Sequence, residues 1–220
     1  MEILQTLDAI WAARWPLLDG LGNTILISVI SILLGTLLGF LVGLVLSYGN
    51  RVLRFVVRIY SDFLRGTPVF VLILACFYIL SVVGIKLSAF EAGVFALTLF
   101  CSSHVGEIVL GALRAIPKGQ TEAAKSIGLT FFGTFFSVLL PQALRMILPT
   151  WVTTATEIVK ASTLLSVIGV VELLLGVQQV ISRTYLSLEL YFFAGFVFFL
   201  LNFAIEKVGR LFERKVSLPT

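Results

Sequence analysis

The sequence predicts an all-α membrane protein with five transmembrane helices, an N-terminus on the outer side and a C-terminus on the inner side. Two features of its composition indicate the membrane class: 59% of the 220 residues are hydrophobic and only 13% are charged. A soluble domain averages roughly 45–50% apolar and about 25% charged residues, and could not cover this much apolar surface. The composition therefore argues against a soluble enzyme, a disordered chain and a nucleic-acid-binding protein.

Long runs without charge mark the candidate helices, because a helix needs about 20 apolar residues to cross a hydrocarbon core of roughly 30 Å. Hydropathy alone suggests six such runs. The run 126–144 is the doubtful one, because Gly128, Gly133 and Pro141 interrupt it. The alternative to a span is a pair of short helices along the membrane surface, the first ending at Gly128 and the second starting at Leu129.

The distribution of basic residues decides between five and six spans, because Lys and Arg are retained on the cytoplasmic side. With five spans and an outer N-terminus, 12 of the 16 basic residues fall inside. They are Arg51, Arg54, Arg58, Arg65, Arg114, Lys118, Lys125, Arg145, Lys207, Arg210, Arg214 and Lys215. A sixth span would place the basic C-terminus outside. The net charge of +4 therefore reflects the orientation of the chain in the membrane and does not indicate an anionic ligand.

These considerations give a single transmembrane domain with short flanking segments. We expect an N-terminal extracytoplasmic segment at 1–19, a transmembrane domain at 20–215 and a cytoplasmic tail at 208–220. The spans are expected at about 20–48, 62–84, 90–114, 142–163 and 188–208, with a cytoplasmic loop at 115–141. The segment 160–183 is expected to be broken or re-entrant, because non-helical backbone is tolerated at membrane depth where it lines a cavity.

The first span carries small residues at every fourth position, namely Ser31, Gly35, Gly39, Gly43 and Ser47. This spacing places them on one face of a helix. Small side chains let helices approach closely in lipid, where packing drives association. The stripe predicts a helix–helix seam with another element of the chain or with a partner.

Four ionisable residues stand out within the predicted spans, where such groups are costly and usually face a cavity or a partner. His104 and Glu107 are three residues apart and share a helix face, as do Glu157 and Lys160. Glu157 and Lys160 could pair with each other, or meet the ammonium and carboxylate of a substrate. Structural and pathway roles both stay open for Glu107 and Lys160, whereas a bonded core residue is the better interpretation of His104.

Three further polar residues complete the set expected along a translocation pathway: Ser162, Thr163 and Glu172, the last at a gate or a helix end. No metal site is expected, because Cys76 and Cys101 lie in apolar runs and His104 is the single histidine.

A long gapped motif, E-A-A-x3-G-x9-V-x-L-P, runs from Glu122 through Gly128 to Pro141. It resembles the cytoplasmic coupling loop of the permease subunits of ABC importers, in which isoleucine usually stands at the position of Val138. The resemblance implies a helix pair that docks in a groove of the ATPase. The coupling residues that it implies are Gly119, Gln120, Glu122, Ala123, Ala124, Gly128 and Pro141.

The wider chain resembles the permeases for histidine, glutamine, arginine, glutamate and opines over about residues 20–215. Its landmarks are Gly22-Asn23-Thr24, Arg65-Gly66-Thr67-Pro68, Gly119 to Ala124, Leu140 to Arg145 and Lys160 to Leu173. The resemblance implies the type I importer permease fold. Leu110 and Ala161 stand where this family typically has arginine and aspartate, so the details of substrate binding are not carried over.

The same resemblance implies a multi-pass protein of the bacterial inner membrane that is not itself an enzyme. Its implied partners are a second permease subunit, identical or related, two ATPase subunits and an extracytoplasmic amino-acid-binding protein, with the bilayer around it. No cofactor is expected on this chain, and ATP–Mg is expected in the partner ATPase, because the sequence contains no G-x4-G-K-[ST] phosphate-binding loop.

Two other functions agree less well with the sequence. An ion-coupled secondary transporter of a small polar solute would show an internal repeat with matching broken helices, and the sequence shows no convincing repeat. A non-transporting scaffold is disfavoured by the intramembrane charges.

Overall fold

The computed structural model describes residues 2–216, and this part of the chain is helical almost throughout, with no strand. The helices are α1 (Glu2–Ala12), α2 (Arg14–Tyr48), α3 (Arg51–Gly66), α4 (Val69–Val82), α5 (Ala89–Ala115), α6 (Lys118–Ser126), α7 (Phe131–Ile168), α8 (Leu173–Thr184) and α9 (Ser187–Val216).

Four of these helices, α2, α5, α7 and α9, are long and apolar enough to cross a membrane. The pair α3 and α4 gives a fifth candidate span, with a bend of 109° between the two helices. The bend falls at Thr67-Pro68, because the proline ring disfavours helical backbone at the residue before it. Thr67 accordingly has extended backbone, with φ −95° and ψ 129°.

The observed helices differ from the predicted spans at several of their ends. Helix α2 begins at Arg14 instead of residue 20, and residues 62–66 belong to α3 instead of to the second span. Helix α9 continues to Val216, so most of the predicted tail is helical; residues 217–220 lie outside the described range. Glycine and proline near these borders, Pro16, Gly20 and Gly209 among them, are accommodated within continuous helices, as both residue types are in membrane helices.

The second half of the predicted coupling loop is not a separate helix. Residues 131–141 form the start of α7, which passes through a π-helical turn at Phe135–Leu139 and continues as α-helix over Leu140–Ala161. The π-helical turn directly precedes Pro141, whose backbone nitrogen cannot donate a hydrogen bond. A glycine and a proline are therefore accommodated within one long helix.

The tightest packing in the bundle joins α2 to α5 along the glycine stripe of α2. A Cβ atom at Gly35 would lie 2.5 Å from Cβ of Cys101, and one at Gly39 would lie 2.6 Å from Cβ of Val105. Real Cβ contacts are never this short, so only glycine allows the two helix backbones to approach so closely. This contact is the helix–helix seam that the stripe of small residues predicts.

Helix α3 follows a break at Gly49-Asn50 and is capped by Asn50, whose side chain accepts a hydrogen bond from the Leu53 backbone N–H at 2.9 Å. One side of α3 is apolar and exposed, with Val52 and Phe63 among its residues. Another side carries Arg58 and points toward α5. The helix is thus amphipathic, as is typical of helices at a membrane interface.

The helix α7 breaks in the segment where the sequence predicts a broken helix. Its last turns, Ser162–Ile168, are 3₁₀-helical, and the chain then turns at Gly169, which has φ 85°. Such a backbone angle is readily adopted only by glycine. Extended residues follow until Glu172 caps α8.

Candidate functional site

A stripe of polar side chains runs along the exposed face of α7. Thr150, Thr153, Glu157 and Lys160 follow at helical spacing and are all exposed in the single chain, whereas Val152, Ala155 and Val159 between them are buried. A charged side chain facing acyl chains would be costly, so this stripe requires water or a partner subunit.

Glu157 and Lys160 do not form the ion pair that their spacing allows. Among the described residues, neither has a salt bridge, and both side chains extend from the exposed face. A surface pair three residues apart gains only a few tenths of a kcal/mol, which does not hold two long side chains together. Both charges therefore stay available to other groups.

Glu107 forms an ion-paired cluster with α3. Its carboxylate accepts a hydrogen bond from Arg58 Nη1 at 2.5 Å and lies 3.6 Å from Arg65 Nη1. Ser61 Oγ donates to the same carboxylate at 3.4 Å. The amphipathic helix α3 thus supplies two guanidinium groups to the Glu107 carboxylate.

His104 is held within its own helix. Its Nδ1 lies 2.9 Å from the carbonyl oxygen of Phe100, which fits an N–H donating to that oxygen, and its ring lies 4.2 Å from the Phe100 ring. His104 is half-buried, and these contacts lie within its own helix.

The α5 and α7 faces meet in one groove. A cavity of about 290 Å³ is lined by Glu107, Gly111 and Ala115 of α5 and by Met146 and Thr150 of α7. Glu107 and Thr150, the first residue of the α7 stripe, therefore border the same space. The surface formed by Glu107 and by the stripe Thr150, Thr153, Glu157 and Lys160 is here called the polar face.

Three other predicted pathway residues have different surroundings. Ser162 is fully buried and its hydroxyl donates to the Val159 carbonyl at 2.8 Å, whereas Thr163 is partly exposed. Glu172 lies in the link between the last two spans and is fully buried against α2. Ser162 and Glu172 therefore do not line the polar face.

Glu172 takes the helix-end role that the sequence allowed. Its carboxylate caps α8 by accepting the backbone N–H groups of Leu174 and Leu175, each at 2.8 Å. Burial raises the pKa of the Glu172 carboxyl to about 7, and the two backbone hydrogen bonds act in the opposite direction. The backbone of Leu173 donates to Thr24 Oγ1 at 3.1 Å, which ties the break to α2.

The predicted coupling segment forms a short helix at the end of the bundle. Six of its seven predicted residues are exposed: Gly119, Gln120, Glu122, Ala123, Gly128 and Pro141. Ala124 is the exception, because it packs α6 against the bundle and is only 3% exposed. The helix ends where predicted, and Gly128 adopts a φ of 81°, which a side chain would strain.

The structure reveals apolar residues beside α6 that the sequence reasoning did not single out. Ile127 is 78% exposed and Phe132 is 71% exposed, next to the exposed side of α6. Apolar side chains grouped at such a position are typical of a protein–protein contact. Ile127 and the pair Phe131-Phe132, on either side of Gly128, were the signals available in the sequence.

The comparisons with known proteins agree with this architecture. Residues 31–218 match the family described as the binding-protein-dependent transport system inner membrane component. The chain belongs to this family of ABC importer permease subunits, and it is a multi-pass protein of the bacterial inner membrane.

Several relatives align over nearly the whole chain. The L-cystine transport system permease protein TcyB of Bacillus subtilis is 31% identical over 96% of this chain and 91% of its own length. The arginine transport system permease protein ArtQ of the same organism is 32% identical over 91% and 92%. The glutamine transport system permease protein GlnP of Escherichia coli is 28% identical over 94% and 98%.

Solved structures confirm the predicted all-α, type I importer permease fold. A crystal structure of an amino acid ABC transporter with histidines matches with a TM-score of 0.86 and 30% identity, over 94% of this chain and 96% of that one. An inward-facing MetNI methionine transporter matches with a TM-score of 0.80 at 22% identity, over 93% and 97%, and supports the fold alone.

Proposed function

We propose that this chain is the transmembrane permease subunit of an ATP-driven importer for a polar amino acid or an opine-like derivative. The observation that carries the proposal is the coupling helix α6, which exposes Glu122 and Ala123 at one end of the bundle. Ala123 has a small side chain, so another protein surface can approach the helix backbone closely at this point. Glu122 offers a carboxylate to a basic group of that surface.

The proposed partners follow from the family and from the exposed coupling residues. ATP–Mg binds and is hydrolysed in two ATPase subunits, while a second permease, identical or related, completes the pathway. An extracytoplasmic binding protein delivers the amino acid. The names of the cystine, arginine and glutamine permeases among the relatives support this substrate class.

The proposed mechanism is alternating access with an outer N-terminus and an inner C-terminus. Closure of the ATPases draws the α6 helices of two permeases together. Because α6 is joined to α5 by the short link at Ile116-Pro117, its movement is passed to the helices that border the polar face. The pathway then opens outward, the binding protein releases its cargo, and hydrolysis restores the inward-facing state.

The polar face supplies the proposed route for the substrate. Glu157 and Lys160 are unpaired among the described residues, so they can meet the ammonium and carboxylate groups of an amino acid. Thr150 and Thr153 add hydroxyl groups that replace part of its hydration shell. Glu107, which is already engaged by two arginines, holds α3 against α5 at one end of this route.

The test of this function is uptake of radiolabelled amino acids by proteoliposomes that contain the assembled importer, with and without internal ATP. Wild-type vesicles should accumulate substrate only with ATP and the binding protein. Glu122→Arg combined with Gly128→Leu should abolish uptake. The first substitution reverses the charge of a residue proposed to contact the ATPase, and the second places a side chain on a backbone with positive φ. Glu206→Arg is the control, since it also reverses an exposed charge but lies in α9 outside the coupling segment.

Two results would contradict the proposed function. Uptake unchanged by the coupling variant would mean that α6 does not transmit the ATPase cycle. ATP-independent uptake by vesicles holding only this chain would favour an ion-coupled secondary transporter instead.

A further inference from the structure

A second pocket lies at the base of α6, on the side of the helix that faces the bundle. It has a volume of about 450 Å³ and is bounded by the end of α2, the end of α5, α6 and the start of α7. Its lining includes Arg114, Ile116, Lys118, Lys125, Thr134 and Leu139. This cavity is here called the basic pocket, and it is distinct from the polar face.

The rim of the basic pocket is positively charged. Arg114, Lys118 and Lys125 all line it, no acidic residue does, and none of the three has a salt bridge among the described residues. Three cations around one cavity repel one another unless an anion or bulk water separates them. An anion at their centre would be attracted by all three.

The floor of the basic pocket is apolar and contains an unsatisfied hydroxyl. Leu139 and Ile116 are buried there, so the floor has a low local polarity. Thr134 is only 3% exposed, and its Oγ1 has no hydrogen-bond partner. A buried hydroxyl without a partner is costly. Thr134 lines the pocket, so a rotation of its side chain would give this hydroxyl a ligand oxygen as its partner.

We propose that the basic pocket binds a phosphate-bearing anion, with the phosphate oxygens held by Arg114, Lys118 and Lys125 and by the Thr134 hydroxyl. Phosphate is the class of anion that fits three cations best, because it carries up to two negative charges and three strong acceptor oxygens, whereas a carboxylate carries one charge and two oxygens. The ligand can be the headgroup of an anionic phospholipid or a free phosphate compound. The pocket lies where α2 and α5 end, which is the level of lipid headgroups for helices that span the bilayer.

A ligand in this site would link α6 to the helices beside it. Lys118 and Lys125 lie near the two ends of α6, whereas Arg114 lies on α5 and Thr134 on α7. A phosphate held by all four joins the coupling helix to both neighbouring helices. Binding would therefore stiffen the attachment of α6, whichever substrate the importer carries.

The test is a binding measurement by native mass spectrometry on the full chain purified with its partner subunits. One arm titrates phosphatidylglycerol against phosphatidylcholine, and the other titrates inorganic phosphate. The pocket variant is Lys118→Gln with Lys125→Gln. The matched control is Arg51→Gln with Arg145→Gln, which removes the same charge from exposed positions outside the pocket.

We expect the pocket variant to weaken anion binding about tenfold or more, and the control to change it less than about twofold. Selective binding of phosphatidylglycerol identifies a lipid as the source, and selective binding of inorganic phosphate identifies a free anion; either supports the site. Equal losses in both variants, or no binding of either probe to the wild-type complex, would overturn it. The readout is binding, so the result is independent of whether the chain transports an amino acid.

A second variant separates a ligand contact from a structural role. Thr134→Val keeps the shape of the side chain and removes the unpaired hydroxyl. We expect it to weaken anion binding about threefold or more, while the Tm of the ligand-free protein stays equal or rises, because no buried polar group is left unsatisfied. Unchanged anion binding in this variant would contradict the proposed role of Thr134.

Discussion

The α2–α5 seam and the polar face are two surfaces of the same bundle with opposite packing. At the seam, Gly35 and Gly39 bring two backbones together so closely that no Cβ atom fits between them. On the polar face, Glu157 and Lys160 extend away from the chain without partners among the described residues. The seam is complete within one chain, whereas the polar face requires something outside it, and this is the physical difference between the scaffold and the proposed route.

The largest expected effect comes from breaking the seam. Gly39→Leu introduces a Cβ atom 2.6 Å from Cβ of Val105 and 2.7 Å from the Ser102 carbonyl oxygen, so α2 and α5 must separate. Overpacking of this kind costs about 1–3 kcal/mol or more. We expect a strong loss of monodisperse protein in size-exclusion chromatography and a lower Tm.

The control for the seam is Gly22→Leu, in the same helix but with nothing within 4 Å of the added Cβ atom. It should leave both readouts near the wild type. Similar losses in the two variants would show that leucine at any glycine of α2 is harmful and that the seam is not special.

A smaller effect is expected where α3 meets the polar face. Removing the Glu107 carboxylate with Glu107→Gln leaves Arg65 without its carboxylate partner and leaves Arg58 with only the more exposed Asp62. A double-mutant cycle with Arg58→Gln should give a coupling energy on the order of 1 kcal/mol, measured by thermal unfolding. Asp62→Asn should change the Tm little, since Asp62 is more exposed and lies 3.6 Å from Arg58.

The smallest effect concerns pH at the buried cap of α8. Because the folded-state pKa of Glu172 is raised to about 7, its contribution to stability is complete below the pKa of about 4.5 of an exposed glutamate. That contribution is lost as the pH rises toward 7. The Tm of the wild type should therefore decrease from pH 5 to pH 7.5 more than the Tm of Glu172→Gln. Parallel pH profiles for the two proteins would contradict this.

The sequence predicts the parts of the molecule that depend on local periodicity. The glycine stripe of α2 indicates a seam because small residues at every fourth position can only share one helix face. The positive φ of Gly128 follows from a glycine placed directly after a helix. The count of five candidate spans follows from the basic residues, which oppose a sixth.

The parts that the sequence could not give depend on tertiary contacts. Arg58 and Glu107 are 49 positions apart, and no local pattern relates them. The spacing of Glu157 and Lys160 suggested a pair, but their exposure removes the reason to form one. Pro141 suggested a helix border, whereas the π-helical turn before it lets α7 continue.

The central claim is that the exposed polar stripe of α7 borders a water-filled route. The most direct measurement is the rate at which a membrane-impermeant, charged thiol reagent modifies Thr153→Cys in the assembled importer, compared with Leu37→Cys on an exposed apolar face of α2. The native cysteines Cys76 and Cys101 are buried, and the unmodified chain gives their background rate. We predict that Thr153→Cys reacts at least about tenfold faster than Leu37→Cys, because a charged reagent travels in water and is excluded from lipid. Equal rates at the two positions would contradict the account.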